Sequence, residues 1–261
     1  MLNELYRTLD YLEYLLVSDT RHGTHSPFVY RLLEDVIYVK NTNPVWDGIE
    51  QIRKDMLQSK SRIELLDLGS GNKSGLHKLS EITNRTARGA KYGRLLHRLI
   101  AGFQPEHCLE LGTGTGITAL YQASALQPGQ VFHTIEGAPA LCEIASYNAL
   151  RSGLSEQILF HEGNFETVLP ELLQKLQRLD YAYIDGNHTY EATTRYFEWM
   201  LPYLHTQSIL VFDDIYWNEE MRNAWAFIKN HASVTVTIDI FAFGLVFFRP
   251  EQAKEHFKIR Y

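Results

Sequence analysis

Three aspartates and a histidine stand at the ends of two apolar runs. In "YIDGNHTYE", Asp185 and His188 follow the run 180–184, and in "LVFDDIYW", Asp213 and Asp214 close the run 208–213. If both runs are strands of a doubly wound sheet, the three carboxylates converge at its carboxyl edge, where such folds bind ligands. Carboxylates that close repel one another, and an unpaired buried one is costly, so a cation belongs among them. A divalent metal ion is the simplest answer. All-oxygen ligation points to Mg²⁺, Ca²⁺ or Mn²⁺ rather than zinc, which usually recruits His or Cys.

A second kind of chemistry is suggested by two glycine-rich stretches, "DLGSGN" at 67–72 and "ELGTGTG" at 110–116. A nucleotide-type loop needs a strand that delivers the chain to a tight turn, glycines that let the backbone approach the ligand, and a helix that begins there. After the first stretch the chain offers only a short helical fragment and a polar loop. After the second, "ITALYQASAL" reads as a helix and "VFHTI" as a strand, and Glu136 stands at the strand's end, 20 residues beyond Gly116. Gly112, Gly114 and Gly116 fall at i, i+2 and i+4, and Ile117 occupies the position where the dinucleotide fingerprint wants a small residue, which disfavours NAD.

These residues need a frame. Strands are predicted at 107–111, 131–135, 157–161, 180–184 and 208–213 with helices between them, the pattern of an α/β fold with a parallel sheet covered on both faces. "SVTVTIDI" and "FGLVFFR" are separated by too few residues for a helical crossover, so the last pair must be antiparallel. Leu2, Leu5, Leu9, Leu12 and Leu16 give residues 1–17 one apolar helical stripe, and helical spacing resumes at Val29, Leu32, Leu33 and Val36. The chain then divides into a helical N-terminal appendage at 1–60, a polar loop or lid at 61–90 and a main domain at 91–261.

An acidic residue two before the first glycine, the G-x-G-x-G loop and a following strand that ends in Glu together resemble the class I S-adenosylmethionine-dependent methyltransferases, over roughly residues 88–249. The resemblance implies a Rossmann-like, doubly wound, seven-stranded sheet with an antiparallel C-terminal hairpin, and S-adenosylmethionine as cofactor. Its implied cofactor set is Glu110, Gly112, Thr113, Gly114 and Gly116, with Glu136 and Gly137 for the ribose, Asn164 and Phe165 for the adenine, and Asp185 at the edge. Glu110 would help orient the turn and the ligand's amino end, and Ala138 could pack on the adenine. Asn164 has a second reading, as the cap of a helix starting at 165.

The acids narrow the resemblance to the metal-dependent O-methyltransferases of the catechol and caffeoyl-CoA type, which carry an Asp after strand four and an Asp-Asn pair after strand five. Asp185 matches the first and Asp213 the second, while Asp214 replaces the Asn. What this implies is methyl transfer to a hydroxyl of a small-molecule acceptor, with Mg²⁺ held by Asp185, Asp213 and Asp214. His188 occupies the place of the catechol enzyme's lysine base, and a neutral imidazole can take a hydroxyl proton. The alternative for His188 is a helix-starting residue with Glu191 as capping partner. Tyr216 and Trp217 are either an aromatic wall over the acceptor or core, and Lys91 and Tyr92 are placed near the methionine end.

Composition bounds the rest. At 261 residues, 45% hydrophobic, 21% charged and with net charge −6, the chain is an ordinary globular one without a basic field for a phosphate backbone, so no nucleic-acid partner is expected. A nucleic-acid or amine methyltransferase would also carry an Asn- or Asp-Pro-Pro-aromatic motif after the fourth strand, where "DGNH" stands. The acidic residues in the N-terminal pattern argue against a signal peptide and no stretch is long enough to span a membrane, so a cytoplasmic location is expected. Cys108 and Cys142 read as reduced core thiols, and His22 and His25 as solvated turn residues. A homodimer is compatible with the sequence. The alternatives from other classes are a non-catalytic S-adenosylmethionine-binding protein and an NAD-dependent oxidoreductase.

Overall fold

The computed structural model describes residues 2–20, 23–65 and 75–261; the "DLGSGN" stretch and His22 lie outside the described residues. The N-terminal part holds helices α1 (Leu2–Val17), α2 (Pro27–Leu32, running on as a π-helical turn over Leu33–Ile37) and α3 (Pro44–Leu57). Strands β1 (Arg62–Leu65) and β2 (Gly75–Lys78) follow, then α4 (Leu79–Thr86) and α5 (Ala90–Phe103). The alternating region runs β3 (Cys108–Leu111), α6 (Ile117–Ala123), β4 (Phe132–Glu136), α7 (Pro139–Ser152), β5 (Ile158–Glu162), α8 (Phe165–Leu176), β6 (Tyr181–Ile184), α9 (Tyr190–Met200), β7 (Ile209–Asp213) and α10 (Glu219–Asn230). The chain ends in β8 (Val236–Asp239), β9 (Phe243–Phe247) and β10 (Glu255–Lys258).

Local chemistry sets many of these boundaries. The side chains of Ser26, Asn43, Thr189 and Asn218 each accept a backbone N–H at the start of the helix that follows, and prolines open α2, α3 and α7. The central strands β3, β6, β7, β8 and β9 are buried along their whole length, as strands covered on both faces must be.

The main sheet has the order β10-β8-β9-β7-β6-β3-β4-β5. β9 runs antiparallel to both β7 and β8, which is the expected terminal hairpin, while β3, β4 and β5, β6 and β7, and β8 and β10 pair in parallel. The doubly wound sheet is as the sequence predicts, with one strand more than the expected seven. The addition is β10, whose "EHFK" has no apolar run and sits half-exposed at the sheet's edge. A second difference lies in the segment read as polar loop, where β1 and β2 pair antiparallel, Arg62 opposite Lys78 and Leu65 opposite Gly75.

Contacts divide the chain into two compact units, Met1–Tyr38 with Leu176–Tyr261, and Val39–Lys175. In the first, Tyr181, Phe197, Phe212, Phe243 and Phe247 form the buried aromatic core. In the second, Leu95, Leu99, Leu109, Leu120, Tyr121, Phe132 and Ala145 are buried. Each such large side chain contributes about 1.5–3 kcal/mol on burial. Cys108 and Cys142 are free and buried, as expected, and burial first, then the Glu136 and Glu162 charges, push the Cys142 thiol up to about 12. Among the described residues no helix is long and apolar enough to cross a membrane.

Candidate active site

The glycine loop joins β3 to α6 in the second unit. Gly112, Gly114 and Gly116 all have positive φ, 94°, 54° and 84°, so the backbone there takes a path that side chains resist. Gly116 is also a close-packing position, because a Cβ on it would lie 2.9 Å from the Ala145 Cβ on α7. Its C=O begins α6 by accepting the Leu120 N–H at 2.9 Å.

A buried polar chain supports this loop from below. Thr113 Oγ1 lies 2.6 Å from Thr134 Oγ1, Thr134 donates to Glu110 at 2.7 Å, and Gln122 Nε2 donates to the other Glu110 oxygen at 2.9 Å. Since the Thr134 proton goes to Glu110, Thr113 is the donor to Thr134. Glu110 and Gln122 are fully buried, so a carboxylate with defined donors fixes the loop's register from within the core. Sequence reasoning misses Thr134 and Gln122, whose only signals are a polar residue inside an apolar strand and another inside an apolar helix.

Glu136, at the end of β4, accepts the Gly114 N–H at 2.8 Å through one oxygen and the Ala138 N–H at 3.0 Å through the other. Its carboxylate thus spans the tip of the glycine loop and the start of α7, with Gly137 between. Ala138 is 8% exposed and packs with Leu65, Ile82 and Leu141 in a small apolar cluster. Asn164 Oδ1 accepts the Glu166 N–H at 2.9 Å, the capping arrangement, and Phe165 opens α8 directly after it.

The acid cluster is assembled within the first unit, at the ends of β6 and β7, which are parallel neighbours. Asp213 is fully buried; its Oδ2 accepts the Tyr183 hydroxyl at 2.5 Å and its Oδ1 accepts the Asp214 N–H at 2.7 Å. The same Tyr183 hydroxyl lies 3.4 Å from Asp185 Oδ2, so two carboxylates flank one phenol. Asp214 stands in the left-handed region at φ 50°, and its Oδ1 is 3.4 Å from the Arg7 guanidinium of α1.

His188 Nε2 is 3.4 Å from Asp185 Oδ1, and its Nδ1 is buried without a hydrogen-bond partner. Burial favours the neutral imidazole, but the hydrogen bond to Asp185 and the charges of Asp185, Asp214 and Asp213 outweigh it and hold the pKa above the ordinary histidine value. The helix that follows is capped by Thr189, not His188. Asn218 donates to the His188 carbonyl at 3.0 Å while its own Oδ1 caps α10, which fixes the loop carrying the imidazole.

The aromatic pair after the acids divides its roles. Tyr216 turns away, its hydroxyl donating to Asp239 at 2.5 Å and its ring stacked on Phe241. Trp217 is 47% exposed, with its ring 6.1 Å from that of His188 and 5.2 Å from the Arg7 guanidinium carbon. Tyr183 and Arg7 are both missed by sequence reasoning. Tyr183 has a signal, because it lies two residues before Asp185 on the same strand face; Arg7, at the far end of the chain, has none.

Among the described residues, no group of three or more His, Cys, Asp or Glu side chains is arranged to hold a metal ion. Asp185, Asp213 and Asp214 stand at the ends of adjacent parallel strands, with His188 Nδ1 buried beside them without a hydrogen-bond partner. As the side chains stand, a phenol, an amide N–H and a guanidinium meet those carboxylates.

The fold matches that of the O-methyltransferase TomG from Streptomyces achromogenes, solved in complex with S-adenosylmethionine, at a TM-score of 0.59 and 18% identity over 85% of this chain and 95% of that one. A family model described as a methyltransferase domain matches residues 109–215, from β3 through the acid pair of β7. These matches support a class I S-adenosylmethionine-dependent methyltransferase. The family match sets aside the oxidoreductase alternative. This methyltransferase is 25% identical to a catechol O-methyltransferase of Niastella koreensis over 174 residues, 66% of this chain and 75% of that protein. It is also 39% identical, over only 80 residues and 31% of each chain, to a tRNA1(Val) (adenine(37)-N6)-methyltransferase of Porphyromonas gingivalis.

Proposed function

We propose that this methyltransferase moves the methyl group of S-adenosylmethionine to a hydroxyl of a small-molecule acceptor, with His188 as the proton acceptor. The observation that carries this is the His188–Asp185 pair, 3.4 Å apart, beside the half-exposed Trp217. The O-methyltransferases among the relatives support the same acceptor class. In this reading Glu136 accepts the ribose hydroxyls, a carboxylate being able to take two at once. Gly112, Thr113, Gly114, Gly116 and Gly137 give the backbone close approach to the donor, with Asn164 and Phe165 at the adenine.

His188, whose Nε2–H faces Asp185 Oδ1, takes the acceptor's proton on its other nitrogen, Nδ1, and Asp185 orients the ring and balances the imidazolium that forms. The acceptor oxygen then attacks the sulfonium methyl in line; the C–S bond breaks, and S-adenosylhomocysteine leaves neutral. Trp217 supplies a flat apolar wall for the acceptor. Asp185, Asp213 and Asp214 are the residues that would hold a divalent ion, Mg²⁺ by the chemistry of the donor set. When bound, such an ion supplies Lewis acidity that lowers the pKa of a hydroxyl.

The test is methyl transfer from labelled S-adenosylmethionine to a panel of hydroxylated and amine-bearing small molecules, with and without chelator. The reading expects turnover on hydroxyls and a large loss in His188→Ala. Turnover confined to amines, or a His188→Ala enzyme as fast as the parent, would overturn it. Loss of turnover on chelation supports the ion.

A further inference from the structure

Helix α1 presents two faces of opposite character. One packs on the body of the first unit: Tyr14 is 1% exposed, the Tyr11 and Tyr14 rings meet Phe241 with centroids 4.8 and 5.4 Å away, and the Tyr14 hydroxyl donates to the Ile259 carbonyl at 2.5 Å. The main chain after α1 is tied down as well, since Asp19 N–H donates to the Lys258 carbonyl and Arg260 N–H to the Asp19 carbonyl. The other face is apolar and open to water. Leu9, Leu12 and Leu16 are 52%, 51% and 85% exposed, and Tyr6 and Val17 beside them are half-exposed. With about 3.6 residues per turn, Leu12 and Leu16 point away from Tyr14.

The spacing of the open face is that of a coiled-coil seam. Leu2, Leu5, Leu9, Leu12 and Leu16 alternate steps of three and four residues, the a and d positions of successive heptads. A helix that only covers its own core turns such a stripe inward. Here Tyr14 is turned inward, and the described leucines of the stripe stand outward. The positions that flank the seam are Tyr6, Thr8, Glu13 and Leu15, of which only Glu13 is charged, and Lys258 of the same chain already lies 3.4 Å from it. Two copies of α1 can therefore approach along the leucines without uncompensated like charges between them.

We propose that the Leu9, Leu12 and Leu16 face of α1 is a homodimer interface, covered by the same face of a second copy of this chain across a two-fold axis. Taking Tyr6, Leu9, Leu12, Leu16 and Val17 out of water on both chains buries on the order of 1,000 Å² in total, the low end for specific interfaces and enough for a dimer that forms at micromolar concentration. A lipid surface fits this helix less well. It carries Glu4, Asp10 and Glu13 against the single Arg7, whereas helices that lie on membranes are rich in Lys and Arg on their polar face. The pairing also bears on the candidate site, because the inward face of α1 brings Arg7 to 3.4 Å from Asp214 and against the Trp217 ring. A second copy on the open face holds that helix from outside. Nothing in the pairing depends on the chemistry of the acids.

The experiment is sedimentation velocity of the full chain across a range of concentrations, for the parent, Leu12→Glu, Leu16→Glu and, as a control on another surface, Tyr147→Glu, whose side chain is 62% exposed on α7. The parent is expected to pass from one chain mass to two with a dissociation constant in the micromolar range. Leu12→Glu and Leu16→Glu are each expected to raise that constant about a hundredfold, the effect of a charge placed at the centre of an apolar contact, and Tyr147→Glu to leave it unchanged. A second measurement uses Leu9→Cys. Leu9 is the middle leucine of the stripe and meets its own copy across the axis, so mild oxidation is expected to give a disulfide-linked pair, which the parent, with Cys108 and Cys142 buried, does not form. A parent that stays at one chain mass overturns the proposal, as does a dimer that both glutamates leave intact, one that Tyr147→Glu weakens equally, or a Leu9→Cys chain that does not cross-link. Binding of the single chain to vesicles of phosphatidylcholine and phosphatidylglycerol in place of pairing overturns it in favour of a lipid surface.

Discussion

The Tyr183 hydroxyl stands between two carboxylates, 2.5 Å from Asp213 and 3.4 Å from Asp185, and so joins the ends of β6 and β7 through a single proton donor. Asp213 is fully buried, so this donor offsets part of the cost of keeping its charge inside the protein. Tyr183→Phe keeps the ring and removes the hydroxyl that donates to the buried Asp213 Oδ2. The expected result is a loss of about 1–3 kcal/mol in stability by urea unfolding. A variant as stable as the parent would show that the phenol is not what holds Asp213.

His188→Ala is expected to lower kcat by roughly 10²–10⁴-fold, the range for loss of a positioned general base. Calorimetric affinity for S-adenosylmethionine should hardly change, because His188 is not among the residues assigned to the cofactor. Asp185→Asn keeps the size of the partner and removes its charge, so it should give a smaller kcat loss. Equal losses of kcat and of cofactor affinity in His188→Ala would mean the side chain supports the fold and not the proton transfer.

Glu136 stands at the joint between the glycine loop and α7, holding the Gly114 and Ala138 N–H groups. Glu136→Gln retains one acceptor oxygen and cannot serve both N–H groups or two ribose hydroxyls equally. Its dissociation constant for S-adenosylmethionine is expected to rise about tenfold, the worth of one charge-assisted hydrogen bond. Isothermal calorimetry decides it, and an unchanged constant would remove Glu136 from the donor site.

Much of this frame is legible in the amino-acid sequence, and the reasons are physical. The five strands that the sequence predicts lie within one residue of β3, β4, β5, β6 and β7, because buried parallel strands are short apolar runs bounded by polar turns. β10 escapes because an edge strand half-exposed to water need not be apolar. The glycines are legible through spacing, and their positive φ values follow from that spacing's function. What spacing does not show are pairings across the chain: Arg7 with Asp214 and Tyr14 with Ile259 are each more than 200 positions apart. Two helix starts are visible at the level of hydrogen bonds. The side-chain oxygen of Asn164 caps α8, and the cap of α9 is Thr189 rather than its neighbour His188.

The remaining prediction concerns acid stability and comes from a histidine pair outside the acid cluster. His133 on β4 and His161 on β5 stack with ring centroids 5.2 Å apart, and His133 Nδ1 lies 2.9 Å from His161 Nε2. One nitrogen must donate and the other accept, so the pair as arranged cannot be protonated on both rings. Burial first, then the neighbouring His161 and His107, depress the His133 pKa to about 4, and burial followed by Lys175 lowers that of His161. Both groups therefore bind protons more readily in the unfolded chain. The stability they contribute is complete above the unfolded histidine pKa, about 6.5, and is lost as pH falls from there toward 4. His133→Asn removes one titrating ring, so its unfolding free energy should fall less steeply than the parent's over that interval, with parallel behaviour above pH 7. Denaturant unfolding at half-unit pH steps measures the slope. Identical slopes in both proteins would place the acid sensitivity elsewhere in the chain.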